Sequence, residues 1–206
     1  MLAGLILAGG KSSRMGTDKS LLTMPDSQHT LLEYCQKKLA LVCDDNVFVS
    51  GSQHQQGIAD IIPNCGPLSG IHAAIIHIQM EYPNIIELLV IAVDMPDLRR
   101  EDFEYLIKMG RNNGRLCCFE NCFFPLYIPL SVNVTEYLAM QLKQQPVTTV
   151  KQRKQQQYSI KMMLNSLQGL EVRPLKNTQL NNINTLGQWD QRCAEQLFIK
   201  AKNDNE

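Results

Sequence analysis

Leu5-Ile6-Leu7-Ala8-Gly9-Gly10-Lys11-Ser12-Ser13-Arg14-Met15-Gly16-Thr17-Asp18-Lys19 is a short apolar run that breaks into paired glycines and then into a spaced set of cations. Leu2–Leu7 reads as a buried strand entering a tight loop. Paired glycines let backbone N–H groups approach a ligand closely, and successive amides in such a turn form an anion nest. Lys11, Arg14 and Lys19 add the charge: Arg holds phosphate oxygens bidentately, and Lys acts as a mobile point charge. A bound triphosphate needs this mixture of close donors and positive charge. A plain strand-to-helix turn with exposed basic residues has the same composition, so the spacing has to decide.

Two familiar phosphate-binding spacings fail. A Walker A loop needs Gly, four residues, then Gly-Lys-Ser/Thr. Gly10-Lys11-Ser12 would require glycine at position 5, which is Leu5, and Gly4 lies within the strand. The dinucleotide fingerprint GxGxxG fails because Gly9 and Gly10 are adjacent and the next glycine is Gly16.

Outward from the loop, strands and helices alternate. Thr30–Val42 has apolar residues at helical spacing, Asn46–Ser50 reads as a second strand, and Ile58–Ile62 as a short third one. Gly66-Pro67-Leu68-Ser69-Gly70 is a loop, followed by a helix over Ile71–Gln79. Leu88–Val93 is the strongest strand, apolar throughout and stopped by Asp94-Met95-Pro96, and Glu101–Met109 is a helix after it. This alternation predicts an α/β fold with three layers and a mostly parallel, Rossmann-like central sheet, whose uniformly apolar strands are covered on both faces. The rest is less regular. Strands are expected over Leu116–Phe119, Phe123–Ile128 and Leu170–Pro174, and helices over Val132–Leu142, Ser159–Leu167 and Leu186–Ala201. A polar Lys/Gln stretch falls at Val150–Gln157.

A chain of 206 residues fits one α/β domain, taken as residues 1–206. With 44% hydrophobic and 19% charged residues it can bury a sizeable core. Lys+Arg and Asp+Glu both total 20, which argues against a nucleic-acid binder. Apolar runs such as Leu88–Val93 are too short to span a bilayer, so no membrane partner is expected. The seven cysteines contain no CxxC pair, and the four histidines share no metal spacing. Reduced, mostly buried thiols in a cytoplasmic protein are the expectation.

LILAGGKSSRMGTDKSLL, residues 5–22, resembles the amino-terminal consensus LAGGxSxRMGxDKxLL of nucleotidyltransferases with a Rossmann-like fold, and within them the molybdenum cofactor guanylyltransferase (MobA) family. Four further places are similar. Asp94 ends the strong strand in a D-x-P segment, where the resemblance implies a Mg²⁺-binding carboxylate. Read by itself, Asp94 is also what a turn before a proline would use. The carboxyl end of a central parallel strand is where ligands bind in open α/β sheets. Asp97 is expected to cap the next helix. Gly66-Pro67-Leu68-Ser69-Gly70 is similar to the family's GPLxG loop, which helps enclose a guanine base. Asp60 stands near an acidic residue that touches the nucleotide in the family, and Ser50 where an asparagine is usual. Asn182-Ile183-Asn184-Thr185 is similar to a late N-x-N-T segment, and Pro125-Leu126 to a Pro-Leu segment on the acceptor side. Helix capping by Thr185 or Asn184 is the plain alternative for the former.

The resemblance implies transfer of GMP from Mg-GTP to the phosphate of molybdopterin or the molybdenum cofactor, with pyrophosphate released. Nucleotide binding is expected at Leu7, Ala8, Gly9, Gly10, Lys11, Lys19, Ser50, Asp60, Gly66, Gly70 and Asp94. Lys19, Asp94 and Arg14 are expected to act on the reacting phosphates, with the metal on Asp94, and Pro125, Asn182 and Asn184 to bind the acceptor. The amino-terminal half would bind nucleotide and the carboxyl-terminal half the acceptor. Transient protein partners would serve cofactor delivery. The rivals are a relative of the same fold that uses CTP or a sugar-phosphate acceptor, and a non-catalytic nucleotide-binding domain.

Overall fold

The computed structural model describes residues 1–9, 18–25, 27–63, 65–143 and 159–203. A six-stranded sheet has the order β2-β1-β3-β5-β4-β6. Its strands are β1 (Leu2–Leu7), β2 (Val47–Ser50), β3 (Glu87–Ala92), β4 (Cys117–Phe119), β5 (Cys122–Pro129) and β6 (Leu170–Val172). β1 pairs in parallel with β2 and β3, and β4 in parallel with β6. β5 alone runs against its neighbours β3 and β4, so the sheet is mostly parallel as expected. The turn into β5 passes through Asn121 at φ 61°, a left-handed conformation that asparagine tolerates.

Helices cover both faces. On one side lie α1 (Leu31–Ala40), α3 (Arg100–Asn113) and α6 (Leu186–Asn203), and on the other α2 (Pro67–Glu81), α4 (Val132–Lys143) and α5 (Ile160–Ser166). Strand alternation divides the core accordingly. Leu2 and Ile6 of β1 join Leu31, Cys35, Leu39, Phe103 and Leu106, whereas Ala3 and Leu5 join Leu68, Ile71, Ile75 and Ile78. Leu88, Leu89, Val90 and Ile91 are at most 1% exposed, which explains the uninterrupted apolar reading of β3. Each such side chain contributes roughly 1.5–3 kcal/mol by leaving water.

Helix starts follow local chemistry. Thr30 and Glu33 form a reciprocal capping box at α1, and Ser159 caps α5. α2 begins earlier than its apolar periodicity suggests, because Gly66 at φ 64° turns the chain and Pro67 occupies the first helical turn. The expected strand over Ile58–Ile62 does not form. Only Ile58 bridges to Ser50, and residues 59–61 are exposed, with nothing beyond β2 to extend a ladder. The polar stretch Val150–Gln157 lies outside the described residues. Among them, no helix is long and apolar enough to cross a membrane.

Candidate active site

The carboxyl ends of β1 and β3 lie side by side, with Leu7 paired to Ala92. Asp94 follows β3 by two residues and so enters the crevice beyond those ends, next to the Ala8-Gly9 exit of β1. Lys19 returns to the same place. Asp18 accepts from the Ser20 amide (3.0 Å) and hydroxyl (2.7 Å), starting a short 3-10 turn over Lys19–Leu21. Lys19 Nζ then lies 3.1 Å from Asp94 Oδ2 and 3.1 Å from Asn184 Oδ1. Both members of the ion pair are mostly shielded, at 17% and 16% side-chain exposure. Lys19 and the aspartate that follows β3 therefore meet beyond the carboxyl ends of β1 and β3.

Asn184 is free to reach Lys19 because its neighbours cap α6. Thr185 Oγ1 accepts from the Gln188 amide at 3.2 Å, and Gln188 Oε1 accepts from the amides of Thr185 and Asn184. The buried Ile183 sends its amide to Asp94 O at 2.9 Å, which fastens this segment to the aspartate loop. Asn182 is exposed and Asn184 half-buried, as alternation about Ile183 requires.

A second group surrounds the exit of β1. Ser50 is buried, and a Cβ on Gly70 would lie 2.3 Å from its Oγ, so α2 can approach β2 only with glycine there. Gly9 lies on the other flank of Ser50. The serine hydroxyl thus faces the first turn of α2. Gln53 and His54, which no motif singles out, turn back over Ala8. Gln53 Nε2 donates to Ala8 O at 3.2 Å, and His54 Nε2 lies 3.5 Å from it. Gly66 is exposed at the start of α2, and Asp60 is exposed two residues past the Ile58 bridge. Pro125 is buried in β5 beside Leu126, which pairs with Val90, so it stands level with the carboxyl end of β3. Gly10, Lys11 and Arg14 lie outside the described residues.

Asp97 does not cap α3. Asp102 accepts from the Arg99 amide at 2.8 Å and takes that role, while Asp97 Oδ1 accepts from Arg192 Nε of α6 at 2.8 Å. Cys35 lies beneath the loop with its Sγ 3.6 Å from Val93 O. Burial pushes its thiol up to about 12, so it is no nucleophile near neutral pH. Among the described residues, no group of three or more His, Cys, Asp and Glu side chains could hold an ion by itself. Asp94 Oδ1 is buried and has no hydrogen-bond partner among those residues. A lone hard oxygen donor of this kind suits Mg²⁺, which takes one or two carboxylates and completes its shell with phosphate oxygens and water.

The model of the MobA-like NTP transferase domain matches residues 4–144. A molybdenum cofactor guanylyltransferase from Xanthomonas euvesicatoria pv. vesicatoria is 32% identical over 195 residues, 93% of this chain and 94% of that protein. A probable molybdenum cofactor guanylyltransferase from Rhodopirellula baltica is 34% identical over 123 residues, 54% of this chain and 57% of that protein. Among solved structures, molybdopterin-guanine dinucleotide biosynthesis protein A from Archaeoglobus fulgidus superposes with a TM-score of 0.60 at 20% identity, covering 98% of this chain and all (100%) of that one. A CMP:2-keto-3-deoxy-manno-octonic acid synthetase bound to CTP superposes with a TM-score of 0.62 at 11% identity, covering 95% and 98%. Those two likenesses show the nucleotidyltransferase fold, and the sequence matches show more: this chain belongs to the MobA-like NTP transferase family.

Proposed function

We propose that this protein transfers GMP from Mg-GTP to the terminal phosphate of molybdopterin, or of its molybdenum-bearing form, and releases pyrophosphate. The contact of Lys19 with both Asp94 and Asn184 carries this reading, since it joins a cation, a carboxylate and an amide from three distant parts of the chain in one cleft. The 32% identity to a molybdenum cofactor guanylyltransferase along nearly the whole chain supports the choice of base and acceptor.

In the reaction an acceptor phosphate oxygen attacks the α-phosphorus. The new O–P bond forms as the bond to the bridging oxygen of the β-phosphate breaks, and the electron pair leaves with pyrophosphate. The acceptor oxygen is already anionic, so no protein nucleophile is required, and catalysis rests on position and charge. Bound Mg²⁺ would neutralise phosphate charge as a Lewis acid. Asp94 would hold it through Oδ1. Lys19 is suited to follow charge at the α-phosphate, because its ammonium exchanges one acceptor for another without reorganising the backbone. Asn184, with Asn182 and Pro125, would orient the acceptor. Leu7, Ala8, Gly9, Ser50, Asp60, Gly66 and Gly70 would frame the nucleotide, and Gly10, Lys11 and Arg14 would hold the β/γ end. The amino-terminal half thus serves the nucleotide and the carboxyl-terminal half the acceptor. We assign the activity to the cytoplasm, where GTP and reduced thiols coexist.

The test is pyrophosphate release by the purified chain with GTP, Mg²⁺ and molybdopterin, run beside ATP, CTP and UTP. GTP-dependent, chelator-sensitive release with a guanylylated product is expected. Preference for CTP, or turnover that persists in excess chelator, overturns the proposal.

A further inference from the structure

The loop that carries Asp94, residues 93–99, is fastened from both ends of the chain. From α1, Lys38 Nζ donates to Pro96 O at 2.6 Å and to Leu98 O at 2.7 Å. From the segment before α6, the Ile183 amide donates to Asp94 O at 2.9 Å. From α6, Arg192 Nε donates to Asp97 Oδ1 at 2.8 Å, its Nη1 donates to Gln196 Oε1 at 3.1 Å, and its guanidinium lies 5.8 Å from the Trp189 ring centre.

The arginine is costly where it stands. Its side chain is 8% exposed, and Nη2 has no hydrogen-bond partner among the described residues. A buried ion pair is a weak source of stability, and an apolar residue of similar volume often does as well or better there. If α6 needed only to bury Trp189 against Met95 and Leu98, a leucine or methionine would serve. What an apolar residue cannot supply is a fixed place for Asp97. Met95 is 2% exposed and Pro96 has a fixed φ, so the three-residue path from Asp97 back to Asp94 has little freedom.

We propose that Arg192 is a positioning residue: through Asp97 it fixes the loop that aims Asp94, and it ties that loop to the helix whose leading segment supplies Asn184. The consequence for turnover rests on the proposed guanylyl transfer, whereas the tether itself is a matter of geometry. The metal-side and acceptor-side groups would then move as one unit, and the carboxyl-terminal helix, beyond the residues 4–144 matched by the family model, would belong to the active site.

The experiment compares the full chain with Asp97→Ala, Arg192→Met and Arg192→Lys by two readouts. In amide hydrogen exchange, the first two variants should speed exchange at Met95 and Ile183 by about tenfold or more, while Leu89 and Val90 keep wild-type protection. In steady-state turnover, kcat should fall by about tenfold, within the ~10² range that ångström-scale misplacement produces, with KM for GTP held within about twofold. The half-saturating Mg²⁺ concentration should rise several-fold, and Arg192→Lys should recover part of each change. Should Arg192→Met fail to fold, Asp97→Ala, which leaves the arginine in place, gives the same two readouts. Wild-type exchange at Met95 and Ile183 in a folded variant overturns the tether. Faster exchange with unchanged kcat and Mg²⁺ dependence overturns the positioning role. A wild-type protein that itself releases no pyrophosphate overturns the guanylyl-transfer reading, and the exchange data then decide the tether alone.

Discussion

Lys19 Nζ lies 3.1 Å from Asp94 Oδ2, and Asp94 is mostly shielded from water, so Lys19→Ala leaves a carboxylate without its counter-charge. Removing one partner of a buried pair costs about 3–5 kcal/mol, and an exposed pair is worth about 0–1. This partly shielded pair should fall between them, at about 1–3 kcal/mol in a denaturant titration. Adding Asp94→Asn to Lys19→Ala should recover most of that loss, because the second change removes the orphaned charge. If the double variant is as unstable as the sum of the single ones, the two side chains are not coupled. Activity separates the roles further. Lys19→Ala should lower kcat by about 10² or more, the scale of losing a preorganised charge stabiliser. Asp94→Ala should abolish pyrophosphate release, with circular dichroism unchanged. A Lys19→Ala enzyme within threefold of wild type would remove the lysine from the chemistry.

The contact of α2 with the ends of β1 and β2 depends on Gly70, where a Cβ would lie 2.3 Å from Ser50 Oγ, 3.1 Å from Ser50 Cβ and 3.2 Å from Leu7 Cδ2. Gly70→Ala must therefore push the helix away from the ends of β1 and β2. Overpacking of this kind costs about 1–3 kcal/mol. Adding Ser50→Gly should restore the midpoint of thermal unfolding, and failure to restore it would show that the helix does not rest on Ser50. At the opposite end of the sheet, Glu87 of β3 accepts from Arg111 of α3 (2.8 and 2.6 Å) and from the Tyr127 hydroxyl of β5 (2.6 Å). The Arg111 hydrogen bonds chiefly hold its carboxyl below the ordinary 4.5, against burial, which raises it. A depressed folded-state value contributes stability above the unfolded pKa and loses it as pH falls through the folded one. Wild type should thus lose its advantage over Glu87→Gln as pH drops below about 4.5, and parallel stability curves for the two would refute the linkage. What was legible in the sequence at this scale was local. An apolar run ended by a polar turn marks β1 and β3, and a Thr-x-x-Glu box marks α1. The true start of α2 escapes the sequence because Gly66 and Pro67 read as loop until the backbone is seen to turn at φ 64°. Arg192 with Asp97, and Lys38 with Pro96, stayed invisible because these pairs are 95 and 58 residues apart and leave no periodic trace. Gln53 and His54 sit in a stretch whose only pattern is polarity.

Across the whole molecule the sheet separates two cores, and the buried thiols report on both. Cys35, Cys43 and Cys117 belong to the layer of α1, α3 and α6, and Cys118, the next residue along β4, belongs to the layer of α2, α4 and α5. Burial pushes Cys35, Cys43 and Cys118 up to about 12 and Cys117 to about 11. At pH 8 the thiolate fraction of the three highest is roughly 10⁻⁴, so alkylation must wait for the surrounding layer to open. Both layers rest on opposite faces of the same strands, β3 and β5 among them, so loss of the sheet removes the floor of both at once and the layers should unfold together. Pulsed alkylation across a denaturant series, read by fragment masses that separate Cys117 from Cys118, should give coincident midpoints for these thiols. Labelling of Cys118 at a clearly lower denaturant concentration than Cys117 would mean that the α2 layer opens independently. In that case GTP with Mg²⁺ should delay Cys118 labelling more than Cys117, since a ligand protects the layer it contacts and stabilises the folded form by mass action. With cooperative opening, the ligand should instead shift all four midpoints by the same amount.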